Sequence, residues 1–139
     1  MEGYTTVFTC EMPIRWGDMD AFGHVNNTVY FRYMEQTRIE WLDSHGVAND
    51  FPGQGPVIVN ASMNFRKQLH YPGTLLGVMS CARPGRSSLD THFELRRTDD
   101  PDTLYADGDA RIVWVDYAAG RSVPWPEALR ACLPDGEAG

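Results

Sequence analysis

A change of hydrophobic period near residue 53 constrains this chain more than any other feature. Over residues 27–44, Tyr30, Tyr33, Met34, Trp41 and Leu42 recur at the 3.6-residue spacing of a helix, with Thr37 between them. Past the breakers Pro52, Gly53, Gly55 and Pro56 the period becomes 2. Val57, Val59, Ala61, Met63 and Phe65 alternate with Ile58, Asn60, Ser62, Asn64 and Arg66. A strand, one long helix and then consecutive strands with no helices between them predict an α+β domain, a single helix lying on an antiparallel sheet.

The remaining elements follow from the same rules. Residues 5–15 are rich in β-branched and apolar side chains and read as a first strand, closed by turn signals at Gly17 and Gly23. Asn26 or Asn27 can cap the helix and Gly46 can end it. Val29, Phe31 and Ile39 lie off the main apolar stripe, so the helix is expected to be well covered by sheet. His70-Tyr71-Pro72-Gly73 makes a turn, and residues 75–82, 89–96 and 104–116 read as three more strands, the last the longest. In the middle one Leu89, Thr91, Phe93 and Leu95 share a face opposite Asp90, His92, Glu94 and Arg96. Small residues at Ala106, Gly108 and Ala110 leave room for the helix to press close. A tail, residues 118–139, is expected to follow a core spanning about 5–116, with a short helix over 127–132 and mobile last residues. One helix covers neither both faces nor both edges of such a sheet, so self-association is expected.

Length and composition narrow the function. At 139 residues the chain is expected to form one domain. No apolar run approaches the ~20 residues of a membrane span, and the first ten residues lack a secretion signal, so a cytoplasmic location is expected. Cys10, Cys81 and Cys132 are odd in number and widely spaced, which argues for reduced thiols over a disulfide framework or zinc knuckle. A net charge of −7 without any basic run argues against nucleic acid, although a few local arginines can still hold a small polyanion.

The chemistry concentrates in Arg15-Trp16-Gly17-Asp18-Met19-Asp20-Ala21-Phe22-Gly23-His24-Val25-Asn26-Asn27. Carboxylates, an imidazole and amides share a glycine-containing turn at the mouth of the helix, where free backbone N–H groups can meet an anion or a polarised carbonyl. Asp20 can serve as nucleophile or general base, or merely as a turn acid. Asp18 is expected to pair with Arg15 or cap the turn, and Glu35 to pair with Arg38 at i,i+3. Asp18, Asp20 and His24 lack a further ligand at metal-binding spacing, so no metal is expected. His45, His70 and His92 accompany no recognisable serine or cysteine nucleophile motif.

Arg15-x-Gly-Asp-x-Asp20-x-x-Gly-His-Val-Asn-Asn, followed by Tyr30-x-x-Tyr33-x-Glu-x-x-Arg38, resembles the hotdog-fold acyl-CoA thioesterases of the 4-hydroxybenzoyl-CoA thioesterase type. The likeness continues through Asn60-Ala-Ser-Met-Asn-Phe-Arg66, the Tyr71-Pro-Gly turn and Gly85-Arg86-Ser87-Ser88, covering roughly residues 5–116. It implies a long central helix wrapped by an antiparallel sheet, pairing as a dimer or a dimer of dimers with sites at the subunit interface, and no cofactor. It implies Asp20 as the catalytic carboxylate and the backbone N–H at Asn27 as the group that polarises the thioester carbonyl. His24 and Tyr30 become substrate contacts, and Arg66, Lys67, Arg86 and Ser87 coenzyme A contacts. His-Val-Asn-Asn stands where the 4-hydroxybenzoyl enzyme has aromatic residues, so the acyl group stays open. The expected activity is acyl-CoA thioester hydrolysis. A thioesterase acting on acyl carrier protein and a non-catalytic acyl-CoA binder are the alternatives.

Overall fold

The helix begins where the sequence places a cap. Asn26 keeps an extended backbone, and its Oδ1 accepts from the Thr28 N–H at 2.9 Å and the Thr28 hydroxyl at 2.8 Å, so that α1 runs Asn27–Ser44. Past the last turn Gly46 adopts a left-handed φ of 72° and redirects the chain into a short α2, Val47–Asp50. The computed structural model describes residues 3–134. Its strands are β1 (Thr5–Ile14), β2 (Gln54–Phe65), β3 (Gly73–Ala82), β4 (Ser88–Arg97), β5 (Ala106–Asp116) and a two-residue β6 (Arg121–Ser122), and α3 is Glu127–Arg130.

The strands form one antiparallel sheet in the order β1-β3-β4-β5-β2, with β6 paired to the end of β5. Small residues set how closely α1 approaches it. A Cβ on Gly77 of β3 would run into the Thr37 hydroxyl, and one on Gly108 of β5 would run into Ser62 O and the Met34 side chain. One face of β4, Leu89, Thr91, Phe93 and Leu95, is fully buried, as its alternation predicts. This is the hotdog arrangement, α+β, with one long helix held against an antiparallel sheet.

Several expectations are corrected by long-range packing. β2, at 12 residues, is longer than β5, at 11. Its alternation also breaks, because a bulge between Ile58 and Asn60 inserts Val59 and switches the parity of the strand. Ile58 before the bulge and Met63 after it therefore pack on the core, while Val57 and Val59 stay exposed. The helix is less covered than its composition predicts, with Phe31 39% and Ile39 42% exposed. Glu35 pairs with Arg32 at 3.3 Å and not with Arg38, which is buried and whose pKa burial pushes down. The segment after residue 118 is no loose appendage, since Trp125, Leu129 and Leu133 join Trp114, Trp41 and Phe93 in one apolar cluster. The expected mobile end, 135–139, lies outside the described residues.

Candidate active site

Two turns in succession link β1 to α1. The first is a 3-10 turn, Trp16–Asp18, closed by Asp18, whose Oδ2 accepts from the Arg15 N–H at 2.9 Å and from the Tyr33 hydroxyl at 2.8 Å. Burial, reinforced by that carboxylate, holds the Tyr33 phenol far above its ordinary pKa. Asp18 thus ties the turn to the helix and is spent structurally.

The second turn presents Asp20. Its N–H donates to His24 O at 2.8 Å, the Gly23 N–H donates to Asp20 O at 3.1 Å, and Gly23 supplies the φ of 82° that closes the loop. Asp20 Oδ1 accepts from the Phe22 N–H at 2.8 Å and, weakly, from the His24 N–H at 3.5 Å. Among the described residues Oδ2 has no partner. One carboxylate oxygen is held by backbone and the other is left for chemistry.

Asp20 lines a cleft of about 520 Å³ together with His24, Asn27 and Tyr30. The opposite wall is the chain leaving β2, Phe65 to Gln68. At the helix end the Thr28 N–H is taken by the Asn26 side chain and the Val29 N–H by Asn26 O at 2.9 Å. The Asn27 N–H has no partner among the described residues, which is the condition for receiving an oxyanion. Tyr30 is buried, and its hydroxyl accepts from the Leu69 N–H at 3.1 Å and donates to Lys67 O at 3.4 Å, so it braces the two walls. Its ring also meets Phe65 edge-on at 5.0 Å.

The two cations of the cleft differ in commitment. Arg66 grips Asp107 through two hydrogen bonds, 2.7 and 3.2 Å, which raises its own pKa and holds the Asp107 carboxyl below the usual range. Lys67 is freer, 4.0 Å from Asp100 and 5.3 Å from the centroid of the Tyr105 ring.

Residues 14–133, which include this site, match the thioesterase-like superfamily in sequence. The chain belongs to that superfamily. Among solved structures it is similar to a Pseudomonas aeruginosa protein provisionally named a thioesterase, at 37% identity and a TM-score of 0.87, over 91% of this chain and 98% of the other. A Xanthomonas campestris protein provisionally named an acyl-CoA thioesterase shares 30% identity over 87% of this chain and all of its own, with a TM-score of 0.76. A 1,4-dihydroxy-2-naphthoyl-CoA thioesterase from Synechocystis shares the fold, with a TM-score of 0.81 at 18% identity over 91% of this chain and 94% of its own.

Not every residue expected at the superfamily's site reaches this cleft. Arg86 and Ser87 lie at the other end of the sheet, where their carbonyls accept from the Trp125 N–H at 3.0 Å and the Trp114 N–H at 2.7 Å. Phe65 pairs with Ala106 and Ser88 with Val113, seven residues further along β5, which separates the two ends by roughly 23 Å at ~3.3 Å per residue. Among the described residues no group of three or more His, Cys, Asp or Glu side chains converges as a metal site. The sequence reading missed His70, whose Nδ1 lies 3.1 Å from Gly23 O and whose ring stands 5.0 Å from that of His24. Its place in the His70-Tyr71-Pro72-Gly73 turn, inside the family likeness, was the available signal.

Proposed function

We propose that this superfamily member hydrolyses an acyl-CoA thioester to the free acid and coenzyme A. The observation that carries the reading is a single cleft lined by the carboxylate of Asp20 and the helix-start N–H of Asn27, where one Asp20 oxygen and that N–H have no partner among the described residues. Water attacks the thioester carbon as Asp20 takes its proton, and the oxyanion that develops is met by the Asn27 N–H. Collapse restores the carbonyl and expels the coenzyme A thiolate, which takes up a proton. Direct attack by Asp20 through a mixed anhydride uses the same geometry, with water then cleaving the anhydride. The thiolate is stable enough to leave without a dedicated acid.

The reading includes a second copy of the chain. The outer edge of β2 has no strand partner among the described residues, and Val57, Val59, Phe65, Phe31 and Ile39 are exposed on that strand and on the helix. Antiparallel pairing of two β2 edges reverses the partner sheet, so the partner's far end comes beside this chain's cleft. In that arrangement Arg86 and Ser87 serve coenzyme A bound at the other subunit, alongside Arg66 and Lys67. His24 and Tyr30 border the acyl group. A cytoplasmic setting is part of the reading, supported by three free thiols.

Thiol release from short, long and aromatic acyl-CoAs, comparing the native protein with Asp20→Asn, tests the proposal. A native activity that falls by about 10²-fold or more in the variant supports it. Equal release by both proteins, or none from any substrate, rejects it.

A further inference from the structure

The turn that carries Asp20 is closed by its own hydrogen bonds, but its tip packs against little else. Ala21, Phe22 and Gly23 are exposed, and a Cβ built on Gly23 would meet nothing within 4 Å. The turn is tethered mainly to one segment. The Val25 N–H donates to Leu69 O at 2.9 Å, the Tyr71 N–H reaches Met19 Sδ at 3.4 Å, and His70 Nδ1 lies 3.1 Å from Gly23 O. Of these tethers only the imidazole reaches the tip. A carbonyl oxygen can only accept, so Nδ1 carries the proton of this hydrogen bond.

The segment bearing His70 is itself braced. Arg97 donates to His70 O and to Pro72 O, each at 2.8 Å, and Asp99 holds the same guanidinium at 2.9 and 3.2 Å. Gly73 makes room for that guanidinium, because a Cβ there would run into it. A chain of directed contacts therefore leads from Asp99 through Arg97 and His70 to the tip of the turn.

We propose that His70 is a positioning residue, whose imidazole N–H holds the Gly23 carbonyl and so fixes the turn that orients the Asp20 carboxylate. The inference rests on the Asp20 reading given above. Gly23 adopts a φ open to glycine and a Cβ there would meet nothing within 4 Å, so without the imidazole only the turn's internal hydrogen bonds hold the tip and it is freer to swing. The Phe22 N–H then drifts from Oδ1, and the free oxygen loses its aim. Misplacement of a reacting group by about 1 Å costs up to about 10²-fold in rate, and a loosened turn that still samples the right geometry should cost about tenfold.

Three substitutions separate this role from packing. His70→Leu keeps bulk without a donor, His70→Asn returns an amide N–H near the Nδ1 position, and His70→Gln carries its amide too far out. His70 is exposed, so all three should fold with an unfolding midpoint close to native. The Leu and Gln variants are expected to lose about tenfold in kcat with KM within about twofold, and Asn to recover to within about threefold of native. Amide exchange at Phe22 should quicken in His70→Leu and slow again in His70→Asn. Native kcat in His70→Leu, a loss confined to KM, or an Asn variant as poor as Leu would overturn the inference. Asp20→Asn, assayed alongside, keeps the two ideas apart. An inactive Asp20→Asn beside a fully active His70→Leu rejects only the role of His70. An active Asp20→Asn rejects the catalytic reading, and exchange at the Phe22 amide then decides alone whether His70 holds the turn.

Discussion

The two ends of the sheet are built from different aromatic residues, and the difference follows what each end does. The end away from the cleft packs Trp41, Trp114 and Trp125 with Leu89, Ile112 and Leu129. Its polar tips are few, with the indole N–H groups of Trp114 and Trp125 donating to Gln54 Oε1 and Ser88 O at 2.9 and 3.2 Å. The cleft end gathers Tyr30, Tyr33 and Tyr105 with Ile14, Leu69 and Leu75. There each hydroxyl fastens a loop: Tyr30 the 67–69 segment, Tyr33 Asp18, and Tyr105 Asp100 at 2.8 Å. A tyrosine buries its ring while a directed hydrogen bond fixes the backbone around it. One end supplies cohesion and the other supplies position.

Substitutions should respect that division. Trp114→Ala has the largest expected effect, a loss of about 3–5 kcal/mol in urea unfolding with the kcat of the folded fraction near native. A matching collapse of kcat in folded protein would break the comparison. Asp20→Asn should do the reverse, lowering kcat by about 10²-fold, or about 2.7 kcal/mol, while the unfolding midpoint stays close to native. Tyr33→Phe belongs between them. It removes the hydroxyl from the Asp18 carboxylate at a cost of about 1.5 kcal/mol, and the turn before Asp20 loosens, so stability and kcat should both fall modestly.

The carboxyls of the ion pairs near the cleft give stability a dependence on acid. Asp107, Asp99 and Asp100 are all held below their ordinary 3.8, by hydrogen bonds from Arg66, from Arg97, and from Tyr105 and Thr103 respectively. Each depressed carboxyl contributes stability that is full above 3.8 and is lost as the pH falls through its lower folded value. Melting temperature should therefore fall as the pH drops below ~4, and Asp107→Asn should flatten part of that slope. The smallest effect concerns coenzyme A. Lys67→Ala should raise KM for an acyl-CoA about threefold, as suits an exposed charge contact worth under about 1 kcal/mol, and leave KM for a thioester lacking the nucleotide unchanged. Arg66→Ala should raise it less, since that guanidinium already serves Asp107.

Much of this was legible in local sequence. The helix bounds, the Asn26 cap, the alternation of β4 and the small-residue spacing around Gly108 depend on residues within a turn or a strand of one another, where backbone geometry alone dictates the pattern. The motif also brought Asp20, His24, Asn27 and Tyr30 to one cleft because they are near neighbours in the chain. Asp18 and Asp20, two residues apart and chemically alike, were harder to separate. Tyr33 from the next helix turn takes Asp18, while the Phe22 N–H takes only one oxygen of Asp20.

What the amino-acid order determined by itself is the α+β arrangement, the placement of the long helix, and a carboxylate at its mouth, all of which follow from short-range periodicity and turn chemistry. Strand order and register decided the rest. They placed Arg66 and Arg86 at opposite ends of one sheet, switched the faces of β2 at a bulge, drew Trp125 and Leu129 into the core, and set His70 against Gly23 across 47 residues of chain. Contacts at such separations depend on which strands pair and where the pairing begins, and no local pattern along the chain encodes that.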